Sequence, residues 1–339
     1  MEIDRKELSA ALELVRPGLS SKEILIEQST SFAFVNGRVV TYNDEISISH
    51  PVKNLKINGA IHADELYALI SKLKQDTFEM TVNDSEVLIT CGRTKAGFTL
   101  EQDVKLPIDE IGEIGDFFPL PEKFVEFITM AIGACGNDMS KPKLTCINVD
   151  ETGKIQASDG YRIIQCVLGE TMPVPTFLLP AKNAAKIINL EITQIATGEG
   201  WVHFKTPDDT VISCRVWNDT YMAIEKHLNI KGTEVQLPKT LNEVLDKAYV
   251  FGKRDHIFDE VITIELSSNR ILLKSKSDFG WYEEKSNLKY KGDDLTLYIT
   301  PRLFKNIINR TQTCIVNERA IKFFEEDWQY VGMLKSKQQ

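Results

Sequence analysis

Apolar positions along the chain switch between a helical period and a strand period, and the switch comes in the same order three times. Each round opens on an amphipathic helix: "DRKELSAALELV", "LPEKFVEFITMAIGA" and "LPKTLNEVLDKAYVF". Leu8, Leu12 and Val15 recur at helical spacing in the first, and Leu241, Val244, Leu245 and Ala248 in the third. Alternating runs follow, "FAFVNGRVVTYNDEISISH", "LTCINVDETGKIQASDGYRIIQCVLG" and "VITIELSSNRILLKSKSDFGWYEEK", punctuated by the turn signals "NG", "ETG" and "SSN". A second short helix then enters from an extended apolar stretch: "INGAIHADELYALISKL", "TFLLPAKNAAKIINL" and "LYITPRLFKNIINR". Pro180 and Pro301 suit a first helical turn, where a missing N–H costs nothing. More strands close each round, ending at "GRTKAGFTLE", "TVISCRVW" and "WQYVGML".

The rounds recur roughly every 110 residues. Polar or Gly-containing connectors, "DEIGEIGDFF" and "NIKGTEVQ", separate them. The pattern predicts an α+β fold of three repeated units, each two helices packed on antiparallel strands, with boundaries at 1–117, 118–230 and 231–339. A length of 339 residues is itself too great for one comfortable core.

Composition changes this picture only slightly. The chain is 42% hydrophobic and 26% charged, ordinary for a globular protein. Its apolar runs are far shorter than the roughly 20 residues that cross a bilayer. The amphipathic, charged start has no signal-peptide core, so a cytoplasmic location with no membrane partner is expected. The six cysteines show no C-x-x-C pair, and buried free thiols are expected. A net charge of −9 argues against nucleic acid as a partner unless the cations are gathered on one face.

Candidate chemistry is sparse. No phosphate loop and no dinucleotide fingerprint appears. His62 and Asp64 form only a partial metal pattern, and Asp64 reads as a first-turn acid facing a helix dipole. Asp208 and Asp209, like Glu325, Glu326 and Asp327, read as solvated acidic clusters. With five histidines and no acid–base pair, neither catalysis, a metal nor a cofactor is expected. One stretch stays open: in "IQASDGYRIIQC", Asp159 and Gly160 form a hairpin turn, a reactive carboxylate or a pocket rim. A metal-dependent β-rich hydrolase or nuclease using Asp159, and a structural adaptor without a DNA role, are the competing readings.

Three such units resemble the beta sliding clamp of bacterial DNA polymerase III. "ASDGYRI" in the middle unit is similar to that family's "ATDGHRL", "GFTLE" to "RFTLS", and the carboxy-terminal "YVGML" to "YVVMP". "AYVFG" followed by "VITIELSSNRILLKSKS" resembles the corresponding helix end and hairpin of the third unit. The resemblance runs in order along nearly the whole chain. There are departures: "NDTYMAIEKHL" replaces a Phe-Pro-Asp-Tyr run, Leu334 stands where the family has proline, and a polar tail, "KSKQQ", follows. They point to a divergent member, of the kind a phage or other mobile element encodes.

The resemblance implies a non-catalytic processivity factor: a homodimeric ring, its helices facing the hole, that encircles duplex DNA and tethers polymerase and clamp loader through short linear peptides. It implies DNA contacts from Lys182 and Lys186, from Lys239, Lys247, Lys253 and Arg254, and from Arg302, Lys305 and Arg310. Two of the helices bearing them carry no acid and the third has Glu243 and Asp246, whereas "PEKFVEFITMAIG" does not fit, with Glu122 and Glu126 against Lys123. Lys22 and Lys141 join the contacts from loops. The peptide cleft falls to Leu144, Ser158, Gly160, Tyr161, Arg162, Ile163, Val331 and Met333. Ring closure falls to Phe98 and Leu100 on one side and to Val250 and Phe251 on the other, although a Phe-x-Leu alternation is equally at home in a core.

Overall fold

The computed structural model describes residues 1–256 and 259–336, so the last three residues of the polar tail lie outside it. Its helices are α1 (Arg5–Val15), α2 (Ala63–Ile70), α3 (Phe124–Ile132), α4 (Ala181–Ile187), α5 (Glu225–Leu228), α6 (Leu241–Gly252) and α7 (Pro301–Ile308). A short strand, a helix, three strands, a lead-in strand, a second helix and three closing strands follow one another three times, with α5 as an extra turn before the third round. Pro301 opens α7 as expected, whereas Pro180 ends the strand Phe177–Pro180 and sits just outside α4 as its cap. Among the described residues no helix is long and apolar enough to cross a membrane.

Packing divides the chain into two compact units, Met1–Pro121 with Met172–Asn218, and Glu122–Thr171 with Asp219–Gln339. The division follows the sheets except at the strand Phe177–Pro180, and the sheets do not follow the repeats. In the first unit an eight-stranded sheet takes Gly59–His62, Ser31–Val35, Arg38–Tyr42 and Ile46–Pro51 from the first repeat. It continues into Val211–Arg215, Trp201–Lys205, Gln194–Gly198 and Phe118–Pro119 from the second. The joint is antiparallel, with Ser47 opposite Ser213 and Ile48 opposite Ile212. A four-stranded sheet, Glu2–Asp4, Thr77–Val82, Glu86–Cys91 and Thr94–Thr99, completes this unit.

The second unit repeats the arrangement one round later. Cys146–Val149, Lys154–Ser158 and Arg162–Val167 of the second repeat run into Trp328–Met333, Ala320–Phe324, Thr313–Val316 and Thr233–Gln236 of the third. Its four-stranded sheet is Gly280–Asn287, Arg270–Ser277, Ile262–Ser267 and Leu295–Ile299. The same rule therefore governs both units. Strands preceding the second helix of one repeat pair with strands following the second helix of the next.

Apolar helix stripes seal these sheets. Leu8, Ala11, Leu12 and Val15 of α1 are buried, and Asp4 caps the helix by accepting from the Glu7 N–H at 2.9 Å. Leu241, Val244, Leu245 and Ala248 of α6 are buried likewise. Phe304 of α7 packs against Phe323 and Tyr330 with ring centroids 6.4 and 6.5 Å apart.

One core group in the first unit carries a pH signature. His203 is fully buried, its Nδ1 is 2.8 Å from Ser213 Oγ, and its Nε2 has no hydrogen-bond partner. A Cβ at Gly198 would stand 2.9 Å from that Nε2, which is why the facing strand holds a glycine. Burial pushes the imidazole down from 6.5 to about 4. The unfolded chain thus takes up a proton below pH 6.5 that the folded chain refuses until about pH 4, so stability is lost as pH falls through that window. Urea unfolding is expected to lose on the order of 3 kcal/mol across it relative to His203→Asn. Parallel profiles for the two proteins would contradict the assignment.

Candidate functional site

The Asp-Gly stretch left open above sits in the second unit, between strands Lys154–Ser158 and Arg162–Val167, with Ser158 paired to Ile163. Asp159 Oδ1 accepts the backbone N–H groups of Tyr161 and Arg162, both at 2.9 Å, and its Oδ2 accepts from Arg162 Nε at 2.9 Å. Ser158 Oγ accepts from Gly160 N at 3.1 Å and donates to the Arg162 carbonyl at 2.8 Å. Gly160 has φ +89°, a conformation that favours glycine. Both oxygens of Asp159 are thus engaged, and its side chain is only 8% exposed. This carboxylate shapes a turn.

Asp159→Ala would remove the acceptor of Arg162 Nε and of two backbone N–H groups. It is expected to lower unfolding free energy by about 1–3 kcal/mol while the chain still folds. Asp159→Asn, which keeps an acceptor, should lose less, and thermal melts compare the two.

Strand alternation sends the following residues to opposite faces. Ile163 and Val331 are paired across Arg162–Val167 and Trp328–Met333, and they share one face. Leu228, Ala320 and Val331 are buried there in one apolar cluster, with Ile163 and Ile230 half-covered against it. Tyr161 and Met333, 50% and 53% exposed, form the rim, tied by the Met333 N–H donating to the Tyr161 carbonyl at 2.8 Å. Leu144 lies beside the turn: a Cβ at Gly160 would come within 3.8 Å of its Cδ1.

The structure therefore gathers Leu144, Gly160, Tyr161, Ile163, Val331 and Met333. Ser158 is buried as a turn brace. Arg162 is corrected: its side chain lies on the opposite face, lining a cleft of about 400 Å³ with Thr129, Met130, Leu303, Arg310 and Tyr330. Pleat parity explains this, because Arg162 is one residue from Ile163.

Sequence reading missed Leu228, Ile230 and Ala320. Leu228 ends the run "NDTYMAIEKHL", read only as a departure from the family, and Ile230 stands in "NIKGTEVQ", read only as a connector between units. The available signal was two apolar residues, one apart, in an otherwise polar segment. That connector is held down by amides. Asn148 Nδ2 donates to Gln156 Oε1 at 3.0 Å, and Gln156 Nε2 donates to Gln165 Oε1 at 2.7 Å and to Glu225 Oε1 at 3.2 Å. The Glu225 carboxyl is held below its usual range by its own backbone N–H and by Gln156.

The cations divide into two groups. Lys182 pairs with Glu45, Lys247 with Glu284 at 2.9 Å, and Arg302 with the buried Glu260. Lys305 pairs with Asp246 at 2.5 Å and Arg310 with Glu126 at 2.7 Å. Glu126 of α3 is thus neutralised from just beyond the end of α7. Lys186 is half-buried, and burial lowers its amine below the ordinary value. Arg254 donates to the carbonyls of Phe251, Lys253 and Lys276. Lys22, Lys141, Lys239 and Lys253 are exposed and carry no ion pair among the described residues. Helices that lack acids of their own take them from neighbours, which a reading of each helix alone cannot show.

Each four-stranded sheet has a longer outer strand that pairs on one side only among the described residues: Thr94–Thr99 in the first unit and Gly280–Asn287 in the second. Phe98 lies half-buried on the first. Leu100 is corrected from an interface role to a core one: it is 4% exposed and fills the space beside Gly59. Beside the second strand, Val250 and Trp281 are each 73% exposed and Phe279 fully so. Phe251 stacks on Tyr282 with centroids 6.3 Å apart.

No protein-family profile and no curated protein sequence matches the chain. Solved structures do. The DNA polymerase III subunit beta from Pseudomonas aeruginosa aligns at a TM-score of 0.85 and 16% identity over 99% of both chains. The beta subunit from Thermotoga maritima aligns at 0.79 and 18% over 99% of both. That from Streptococcus pyogenes aligns at 0.83 and 18% over 98% of this chain and 99% of the other. The chain has the sliding-clamp fold.

Proposed function

We propose that this chain, carrying the fold of the sliding clamps, is itself one: a non-catalytic polymerase processivity factor that closes as a ring of two copies around duplex DNA. One observation carries the reading. Two sheets join repeat to repeat by a single rule, and that rule leaves one donor and one acceptor edge unused. Gly280–Asn287 precedes the second helix of the third repeat, and Thr94–Thr99 follows the second helix of the first. Applied once more, the rule pairs Gly280–Asn287 of one copy with Thr94–Thr99 of the next. Val250, Phe251, Phe279 and Trp281 would then be covered together with Phe98, which gives such large exposed apolar groups a use. Each repeat would be a domain in the sense of 1–117, 118–230 and 231–339.

DNA would be held loosely. Five of the eleven candidate cations are neutralised by carboxylates, so the exposed Lys22, Lys141, Lys239 and Lys253 would supply most of the phosphate contact. A ring that must slide gains nothing from fixed contacts. The cluster of Ile163, Val331, Leu228 and Ile230, rimmed by Tyr161 and Met333, would dock short linear peptides of a polymerase and a clamp loader.

The test is topological. Protein loaded on nicked circular DNA should stay through gel filtration and leave once the circle is cut. Equal retention on circle and linear DNA would defeat the proposal.

A further inference from the structure

The sheet face that carries the apolar cluster continues on to a cation. Lys322 is the cross-strand partner of Val331, which is itself paired with Ile163, so the three side chains stand in one row on one face. Lys322 is half-buried. Its Nζ donates to Gln329 Oε1 at 2.6 Å and lies 5.9 Å from the centroid of the Phe324 ring. Among the described residues no carboxylate lies within ion-pair distance of it, in contrast to the paired lysines of α4, α6 and α7. The next acid along its row, Glu234, is two strands away beyond Ile315, roughly 10 Å at ordinary strand spacing. Glu225, the acid at the other end of the face, is held by Gln156. Burial lowers the Lys322 amine below its ordinary value, with no acid to offset it.

A half-buried ammonium facing only an amide is left short of an anion, and it stands next to an apolar socket. We propose that Lys322 reads a carboxylate in the docked segment, so that the cleft selects linear peptides pairing an apolar anchor with an adjacent Asp or Glu. This inference rests on the cleft reading above and specifies the chemistry of its partner.

The test uses the full-length protein and leucine-anchored decapeptides in which a single Asp is stepped through the positions flanking the anchor, each with its Asn counterpart. At the best position the wild type should bind the Asp peptide about 10-fold more tightly, as a charge-assisted hydrogen bond gives. The preference should shrink as salt rises. Lys322→Gln should erase it by weakening the Asp peptide alone, and Lys322→Glu should reverse it. Equal binding of Asp and Asn peptides at every position, or a preference that survives in Lys322→Gln, would overturn the inference while leaving the cleft intact. If no peptide of either kind binds a protein that is dimeric and retained on circular DNA, the cleft reading falls and this inference with it.

Discussion

A chain carrying both Val250→Asp and Trp281→Glu should run at 38.4 kDa, the mass of one copy, where the proposed ring predicts twice that value for the wild type. Both side chains are largely exposed beside an unpaired strand edge and reach no part of their own core, so the substitutions should leave the fold alone. Covering a Val or a Trp contributes about 1.5–3 kcal/mol each, and the two new carboxylates would face an interface that buries charge. Association should weaken at least about 1,000-fold, which abolishes the dimer at micromolar concentration. Sedimentation measures the mass and urea unfolding checks the fold. Retention on nicked circular DNA should vanish with the dimer. A double variant that still dimerises would remove the unused edges as the site of closure.

The second large effect concerns the cleft. Ile163→Glu sets a carboxylate among Val331, Leu228 and Ile230, where it has room to reach water at the rim but not while a peptide covers it. Leucine-anchored peptides should bind about 100-fold more weakly, the cost of burying an unpaired charge as the ligand docks. Dimer mass and circle retention should be unchanged, because neither free edge is touched. Loss of dimer and peptide together would mean that the substitution had damaged the sheet itself.

The threefold order of elements was legible because each element buries one face and writes its period into the chain. Helices at Leu8–Val15 and Leu241–Ala248, and the turn glycines, could be read directly. Strand pairing between repeats could not be. Nothing in "ISISHP" or "VISCR" says that Ile48 lies opposite Ile212, because pairing is a long-range choice among similar strands. The same limit explains the site. Ile163, Val331 and Tyr161 were found through a resemblance, but the neighbours that complete their cluster come from a connector with no pattern of its own. Leu100 was misplaced because alternation does not say which apolar position faces the core and which a second copy. The cations were counted without the carboxylates that neutralise them, since Glu45, Glu260 and Glu284 are distant in sequence.

The sheet-joining rule has a consequence for entry onto closed DNA. The two joints seen in the structure lie within a single chain, so dilution cannot separate them. In the proposed ring a third would join two chains and obey mass action, and two copies would hold it twice. If one such joint parts, the other still tethers the ends, and reclosure proceeds at an effective concentration that the bulk solution does not set. Such a ring would thus admit a duplex at one gap without dispersing. Its lifetime on DNA would then depend on how rarely both gaps open together.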